Sequence, residues 1–264
     1  MSWLAIPRDW LSSLGEIARF SGRVMGLVYS GRVFTFFGES LRQAGLLITG
    51  SAIVIWGLTF ILGLQCGIEG AYFNRSVGSP SYAGVFAAWC DLREVIPYAF
   101  GYMMAAKVGT GIVAEIGAMR ISDEIDALEV MGVNPMIFLC ATRLLGAWIV
   151  LPFLYLAGIG VGYLASWLAV VKQVAETSSG GYFLIFWEFQ NPPDLIFSLI
   201  KGMVMATVIV MVGCYYGYTA GGGPVGVGRA TAKSMVLNIV MVHVIGMLGT
   251  LAFWGANPRA PIGG

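Results

Sequence analysis

Four stretches of this chain contain no Asp, Glu, Lys or Arg: residues 43–68, 144–171, 202–228 and 234–258. Each exceeds the roughly 20 residues that a helix needs to cross the hydrocarbon of a bilayer. A fifth run, Val95 to Ala114, is interrupted by Lys107 alone. Soluble domains carry about 25% charged residues; here 11% of 264 residues are charged and 58% are hydrophobic, with a mean hydropathy of +0.80. Only helices and closed barrels satisfy every backbone group in lipid, and the period-two alternation of barrel strands is missing. The chain is therefore expected to be an all-α integral membrane protein. Its five transmembrane helices fall near 43–65, 95–114, 137–169, 195–217 and 234–254, the third long enough to tilt or to extend beyond the membrane.

The first unit, residues 1–42, reads differently from the five-span unit 43–264. Trp10, Leu14, Ile17 and Val24 share a helical face, with Arg8, Arg19, Arg23 and Arg32 dispersed among them. Basic and aromatic residues with modest hydrophobicity describe a helix lying in the membrane interface, the alternative being a poorly ordered cytoplasmic tail. No apolar core ends in a small-residue cleavage site, so this is not read as a signal peptide.

Orientation follows from Lys and Arg near the span ends. With the N-terminus inside, the cytoplasmic pieces hold Arg8, Arg19, Arg23, Arg32, Arg42, Arg120, Arg229 and Lys233, against Arg75, Arg93, Lys172 and Arg259 outside. The C-terminus is then extracytoplasmic, and 66–94 and 170–194 are outer loops. The aromatic cluster Tyr182, Phe183, Phe186, Trp187 and Phe189 in the second loop fits a short interfacial helix. An odd number of spans without an internal repeat places any two-fold arrangement between subunits.

Five of the fourteen acidic residues fall between Glu115 and Glu129. Carboxylates are expensive in hydrocarbon, so this piece stands in water while both its flanks lie in lipid. Ser122 is suited to cap a short helix, with Asp123 and Glu124 in its first turn where the dipole favours acids. Gly132 offers the residue after its C-cap, and Pro135 stops it. Ile121, Ile125 and Leu128 form a narrow apolar stripe opposite the charges. The segment is built to touch something soluble.

Other features point to no chemistry of their own. Cys66, Cys90, Cys140 and Cys214 lack metal-ligand spacing; Cys66 and Cys90 either pair on the outer face or stay free thiols. The run Ala220-Gly221-Gly222-Gly223-Pro224-Val225-Gly226-Val227-Gly228 lacks the Lys-Ser/Thr of a phosphate loop and reads as a flexible connector before Arg229 and Lys233. His243 is the single histidine, expected to pack between helices. Lys107 is a structural intramembrane charge, with Glu115 too far along the helix for a direct pair. No catalytic residues, no metal site and no cofactor on this chain are expected; any ATP with its Mg²⁺ is bound by a partner. The net charge of +1 and the missing basic-aromatic patch give no sign of nucleic-acid binding.

An ordered series of motifs resembles a known family. Arg93-Glu94-x-x-Pro97, Lys107-Val108-Gly109, Ala114-Glu115-Ile116-Gly117, Ile125-Asp126-Ala127-Leu128 and Met131-Gly132-Val133-Asn134-Pro135 are similar to the MlaE or YrbE permeases. Tyr216-Gly217-Tyr218 with Gly226-Val227-Gly228-Arg229-Ala230-Thr231 resembles that family's signature before the last span, in the form found in actinobacterial Mce-type members. The resemblance covers roughly 40–250. It implies an ABC lipid-transporter permease in the inner (plasma) membrane: an N-terminal interfacial helix, five spans and a cytoplasmic coupling helix. It further implies a dimer, with a second YrbE-type permease forming a heterodimer, a cytoplasmic ATPase, and MCE-domain proteins outside. By the same resemblance 115–135 is the coupling segment, with Glu115, Arg120, Asp123, Glu124, Asp126, Leu128 and Glu129 meeting the ATPase. Arg93 and Glu94 would lie at the outer mouth of a lipid pocket that Gly57 and Gly246 leave open. The family commonly has Arg at Lys107 and Gly at Ile96; a lysine cannot make the bidentate contact of an arginine. Two other classes remain open on the residues alone: an intramembrane lipid enzyme, and an envelope anchor without transport.

Overall fold

The computed structural model describes residues 5–175 and 177–256, with side chains from residue 12 onward. Arg259, the C-terminus at Gly264 and the side chains of Arg8 and Trp10 lie outside the described residues. Every regular element among the described residues is helical. α1 spans Ala5–Tyr29, α2 Phe37–Ser76, α3 Ile96–Met103, α4 Thr110–Ile121, α5 Glu124–Val130, α6 Thr142–Trp167, α7 Ser179–Glu188, α8 Pro192–Tyr218 and α9 Gly223–Trp254.

Wider π-helical turns at Phe86–Val95, Met104–Gly109, Met136–Ala141 and Leu168–Val174 join several of these into longer rods. Pro97 lies just past the first of them, where its missing N–H breaks the regular ladder. Among the described residues, four rods are long and apolar enough to cross a membrane: Arg32–Ser76, Met136–Val174, Pro192–Tyr218 and Gly223–Trp254. The protein is thus a multi-pass helical membrane protein. The expected second span at 95–114 lies inside a helical run, but that run is not among the four.

Several local expectations need correction. The stretch 66–94 is mostly helix rather than loop, since α2 continues to Ser76 and ends where Gly78 takes a left-handed φ of 75°. The glycine-rich connector is shorter than its composition suggests. Gly222 and Gly223 take positive φ values of 80° and 70°, and α9 starts at once, with Pro224 in its first turn. All four cysteines are free thiols. The aromatic segment does form a helix, α7, whose Ser178 side chain accepts a hydrogen bond from the Gly181 N–H at 3.1 Å.

The chain forms two compact units. Unit 1 comprises residues 1–47, 104–150 and 207–239. In it α1 buries Ile17, Phe20, Val24 and Val28, spaced to share one helical face, with Phe20 edge-on to Tyr215 at 5.7 Å. Its helices come close at glycines: a Cβ on Gly213 would sit 3.0 Å from the Gly109 carbonyl oxygen. Unit 2 comprises residues 48–103, 151–206 and 240–264. There a Cβ on Gly63 of α2 would sit 2.5 Å from the Gly162 carbonyl oxygen of α6. α7 packs Tyr182, Ile185 and Phe186 against Ala83, Ala87 and Val170.

Candidate functional site

Unit 2 holds a cluster of buried charge. Arg93, at the end of the first π-helical stretch, directs Nη2 and Nε onto Asp194 Oδ2 at 2.6 and 3.1 Å. Asp194 sits in the first turn of α8, and its other oxygen accepts from Trp254 Nε1 on α9 at 2.9 Å. The guanidinium also lies 4.4 Å from the ring centre of Trp89, a cation–π contact. Arg93 is 8% exposed and Asp194 1%. The arginine side chain is thus already engaged within its own unit.

A second pair abuts the first. Lys201 of α8 spends its three hydrogens on the Arg93 carbonyl (2.9 Å), Glu94 Oε2 (2.8 Å) and Thr250 Oγ1 (2.8 Å). Thr250 has one hydroxyl hydrogen, and Glu94 Oε1 at 2.6 Å is nearer than the Gly246 carbonyl at 2.9 Å. The lysine side chain is wholly enclosed, whereas that of Glu94 is 36% exposed. Glu94 is therefore the open edge of the cluster.

Next to that edge, Tyr102 Oη and His243 Nε2 are 3.0 Å apart, and Tyr98 lies 5.7 Å from the imidazole, centre to centre. His243 is exposed rather than buried between helices. Gly246 packs directly onto the Tyr98 ring, so even a Cβ would collide there, whereas Gly57 faces open space.

Unit 1 holds the acidic segment as two helices, not one. α4 runs on to Ile121, so Ser122 closes that helix instead of opening the next, and its hydroxyl contacts the Ala118 carbonyl at 3.0 Å and Glu124 Oε1 at 3.0 Å. Asp123 takes the N-cap position of α5 with φ 59°, and its side chain makes no cap bond. Aspartate tolerates the left-handed region better than most residues. Gly132 follows α5 with φ 77°, as its position beyond the helix end requires.

The expected stripe is asymmetric. Ile125 is fully buried, Leu128 half-buried and Ile121 exposed. Past it, Val130 and Met131 stand 89% and 68% exposed, an apolar tip that the acidic pattern hid. Arg120 pairs with Asp126 at 2.8 Å, both in water. Glu115 pairs with the buried Arg143 at 2.7 Å. Asp123, Glu124 and Glu129 are exposed and form no ion pair among the described residues. Lys107 lies within the Met104–Gly109 stretch, exposed and likewise without an ion pair among the described residues.

Long apolar helices, with charge buried in unit 2 and charge displayed in unit 1, describe a multi-pass membrane protein. The chain matches the family described as Permease MlaE over residues 40–252. It is 34% identical over 243 residues to a probable ABC transporter permease protein of Rickettsia conorii, covering 92% of each chain. It is 28% identical over 252 residues to a probable ABC transporter permease protein of Synechocystis, covering 95% of each. The Arabidopsis thaliana chloroplast protein trigalactosyldiacylglycerol 1 is 30% identical over 217 residues, 82% of this chain and 59% of that protein. This chain belongs to the MlaE family of ABC transporter permeases.

Proposed function

We propose that the chain is the membrane-spanning subunit of an ATP-driven lipid transporter of the Mce or Mla type, working as a dimer with a second YrbE-type permease. Five spans cross the inner membrane, the second formed by the rod around α3 and α4; the N-terminus is cytoplasmic and the C-terminus extracytoplasmic. A soluble ATPase binds and hydrolyses ATP with Mg²⁺, MCE-domain proteins receive or deliver lipid outside, and the direction is import. The relative named for trigalactosyldiacylglycerol supports a lipid cargo.

The observation that carries this reading is the 122–131 turn. Asp123, Glu124, Val130 and Met131 are all exposed on it, while Ile125 anchors it in unit 1. A fixed base under a displayed surface lets ATPase closure bias the permease through differential contacts. Exposed Lys107, and open space over Gly50 and Gly111, support a second subunit: an uncovered charge at membrane depth is costly, and small residues permit close helix approach. The lipid head group then meets Glu94 and the Tyr98–Tyr102–His243 group, with Arg93 holding the mouth in shape.

Charge reversal tests the coupling role. Glu124→Lys with Asp126→Lys, in the complete transporter, is expected to release the ATPase or abolish lipid-stimulated ATP hydrolysis while the permease stays folded. Normal co-purification and normal stimulated hydrolysis would refute it. Orientation has its own check: a reporter active only outside the cell is expected to work after Gly264 and to stay silent after Gly222.

A further inference from the structure

Unit 1 contains two adjoining clefts that the transport reading does not use. The larger, about 760 Å³, lies between α1 and the end of α8 and is rimmed by Arg19 and Arg23. The smaller, about 450 Å³, shares Tyr215 with it and is rimmed by Arg229 and Lys233 of α9. Arg19 and Arg23 are four residues apart, so they project from one side of α1. No ion pair among the described residues engages any of these four cations. Among the lining residues the one carboxylate is Glu16, whose Oε2 already accepts the Tyr215 hydroxyl at 2.9 Å. Across the two clefts, four cations are lined up against a single engaged acid. Such a surplus is held against self-repulsion and is relieved by a bound anion.

The floor narrows the class of anion. Phe20, Met136 and Tyr218 give the larger cleft an apolar base beneath its arginine rim, the layout of an amphiphile's phosphate and glycerol backbone rather than of a freely soluble ion. α1 buries Ile17, Phe20, Val24 and Val28 on one side and shows Arg19 and Arg23 on another, as a helix lying at a membrane surface does. We propose that these clefts bind the head group of an anionic phospholipid in the leaflet where α1 lies, a site distinct from the transported cargo. A bound lipid would join α1 to the α8–α9 corner through its phosphate and so fix the entry to α9. The proposal stands whether or not the acidic segment couples to an ATPase, because its readout is lipid binding alone.

The test uses the full-length chain in mild detergent. Phosphatidylglycerol and phosphatidylcholine with identical acyl chains are added in equal amounts, and bound lipid is counted by native mass spectrometry. Phosphatidylglycerol is expected to be retained preferentially. Each cation near an anionic head group contributes about five-fold in affinity, so Arg19→Gln with Arg23→Gln should cut that preference by about 25-fold. Arg19→Lys with Arg23→Lys should keep most of it, and Arg75→Gln in unit 2 should keep all of it. If the double glutamine variant fails to fold, Arg19→Gln alone supplies the reading, with a loss of about five-fold. Equal retention of the two lipids by the unmodified chain overturns the proposal, as does an unchanged preference in the glutamine variants. Displacement of phosphatidylglycerol by millimolar inorganic phosphate overturns it in favour of a soluble-anion site. Retention of an acidic partner protein without any lipid preference overturns it in favour of a protein interface.

Discussion

The Arg93–Asp194–Lys201–Glu94 cluster and the α5 turn hold similar numbers of charges and treat them in opposite ways. In unit 2 the charges are taken out of water and matched to one another, so that Lys201 and Asp194 have almost no exposed surface. In unit 1, Asp123, Glu124 and Glu129 stay in water and form no ion pair among the described residues. Buried charges are costly unless paired and hydrogen-bonded, so the cluster fixes geometry and cannot easily be remodelled. Exposed charges cost little, and they remain available to another molecule. One region shapes a site, and the other advertises one.

The contrast breaks most visibly at Asp194. Its removal leaves Arg93 buried without its carboxylate, and losing one partner of a buried pair costs about 3–5 kcal/mol. Asp194→Ala is expected to lower the thermal midpoint of the detergent-solubilised protein sharply, or to abolish folded yield. Lys201→Met is expected to do less, since the stranded Glu94 can reach water. Should Asp194→Ala melt with the unmodified protein, the cluster does not act as a scaffold.

Packing beside the cluster gives the next largest effect. A methyl on Gly246 collides with the Tyr98 ring, and overpacking of this sort costs about 1–3 kcal/mol. Gly246→Ala should therefore destabilise the fold. Gly57→Trp, in open space, should leave the fold and assembly intact while abolishing lipid transport. Transport at normal rates in Gly57→Trp would mean that no lipid passes that face.

On the other side of the comparison, function should fall without the fold. Val130→Asp with Met131→Asp changes two side chains that touch water, and such surface changes stay within about 0.5 kcal/mol of stability. If this tip enters a pocket on the ATPase, the pair should weaken ATPase retention about ten-fold or more, as loss of an interface anchor does. A loss of thermal stability with retention unchanged would reverse the roles assigned to the two regions.

The two regions were also unequally legible in the sequence. Helical class and most spans follow from charge-free runs, because lipid enforces the pattern along the chain itself. The displayed region was partly legible for the same reason: five acids between apolar runs have nowhere to be but water. Its details were not. Ser122 is a good cap by type, yet α4 persists through Ile121 and takes its hydroxyl, which can bond backward along a helix as readily as forward. The buried cluster was least legible. Arg93 and Glu94 came from family resemblance, whereas Asp194 lies 101 residues from Arg93 and Lys201 107 from Glu94. No local spacing reports such pairs. The available signal was Lys201 itself, the single charge between Asp194 and Arg229 in a strongly apolar run, which demanded a partner. His243 does meet Tyr102 and Tyr98 of another helix, as its place on an apolar helix suggests, but its exposure was not legible from its neighbours along α9.

Salt supplies the smallest effect and the sharpest discriminator. Arg120 and Asp126 form an ion pair at 2.8 Å with side chains 38% and 60% exposed, a setting in which pairs contribute no more than about 1 kcal/mol. Arg120→Ala should thus shift the thermal midpoint slightly at low ionic strength. At 1 M salt the screening length falls to about 3 Å, so the unmodified protein and Arg120→Ala should then melt together. The same salt should leave the deficit of Asp194→Ala in place, because the Asp194 side chain is only 1% exposed and that of Arg93 10%, too little for ions to screen the pair. If salt erases both deficits, the unit 2 cluster is wetter than its burial indicates, and the distinction between a fixed and a displayed set of charges fails. If it erases neither, Arg120 acts by packing its stem over the turn, and the α5 surface is held in shape by contact rather than by charge.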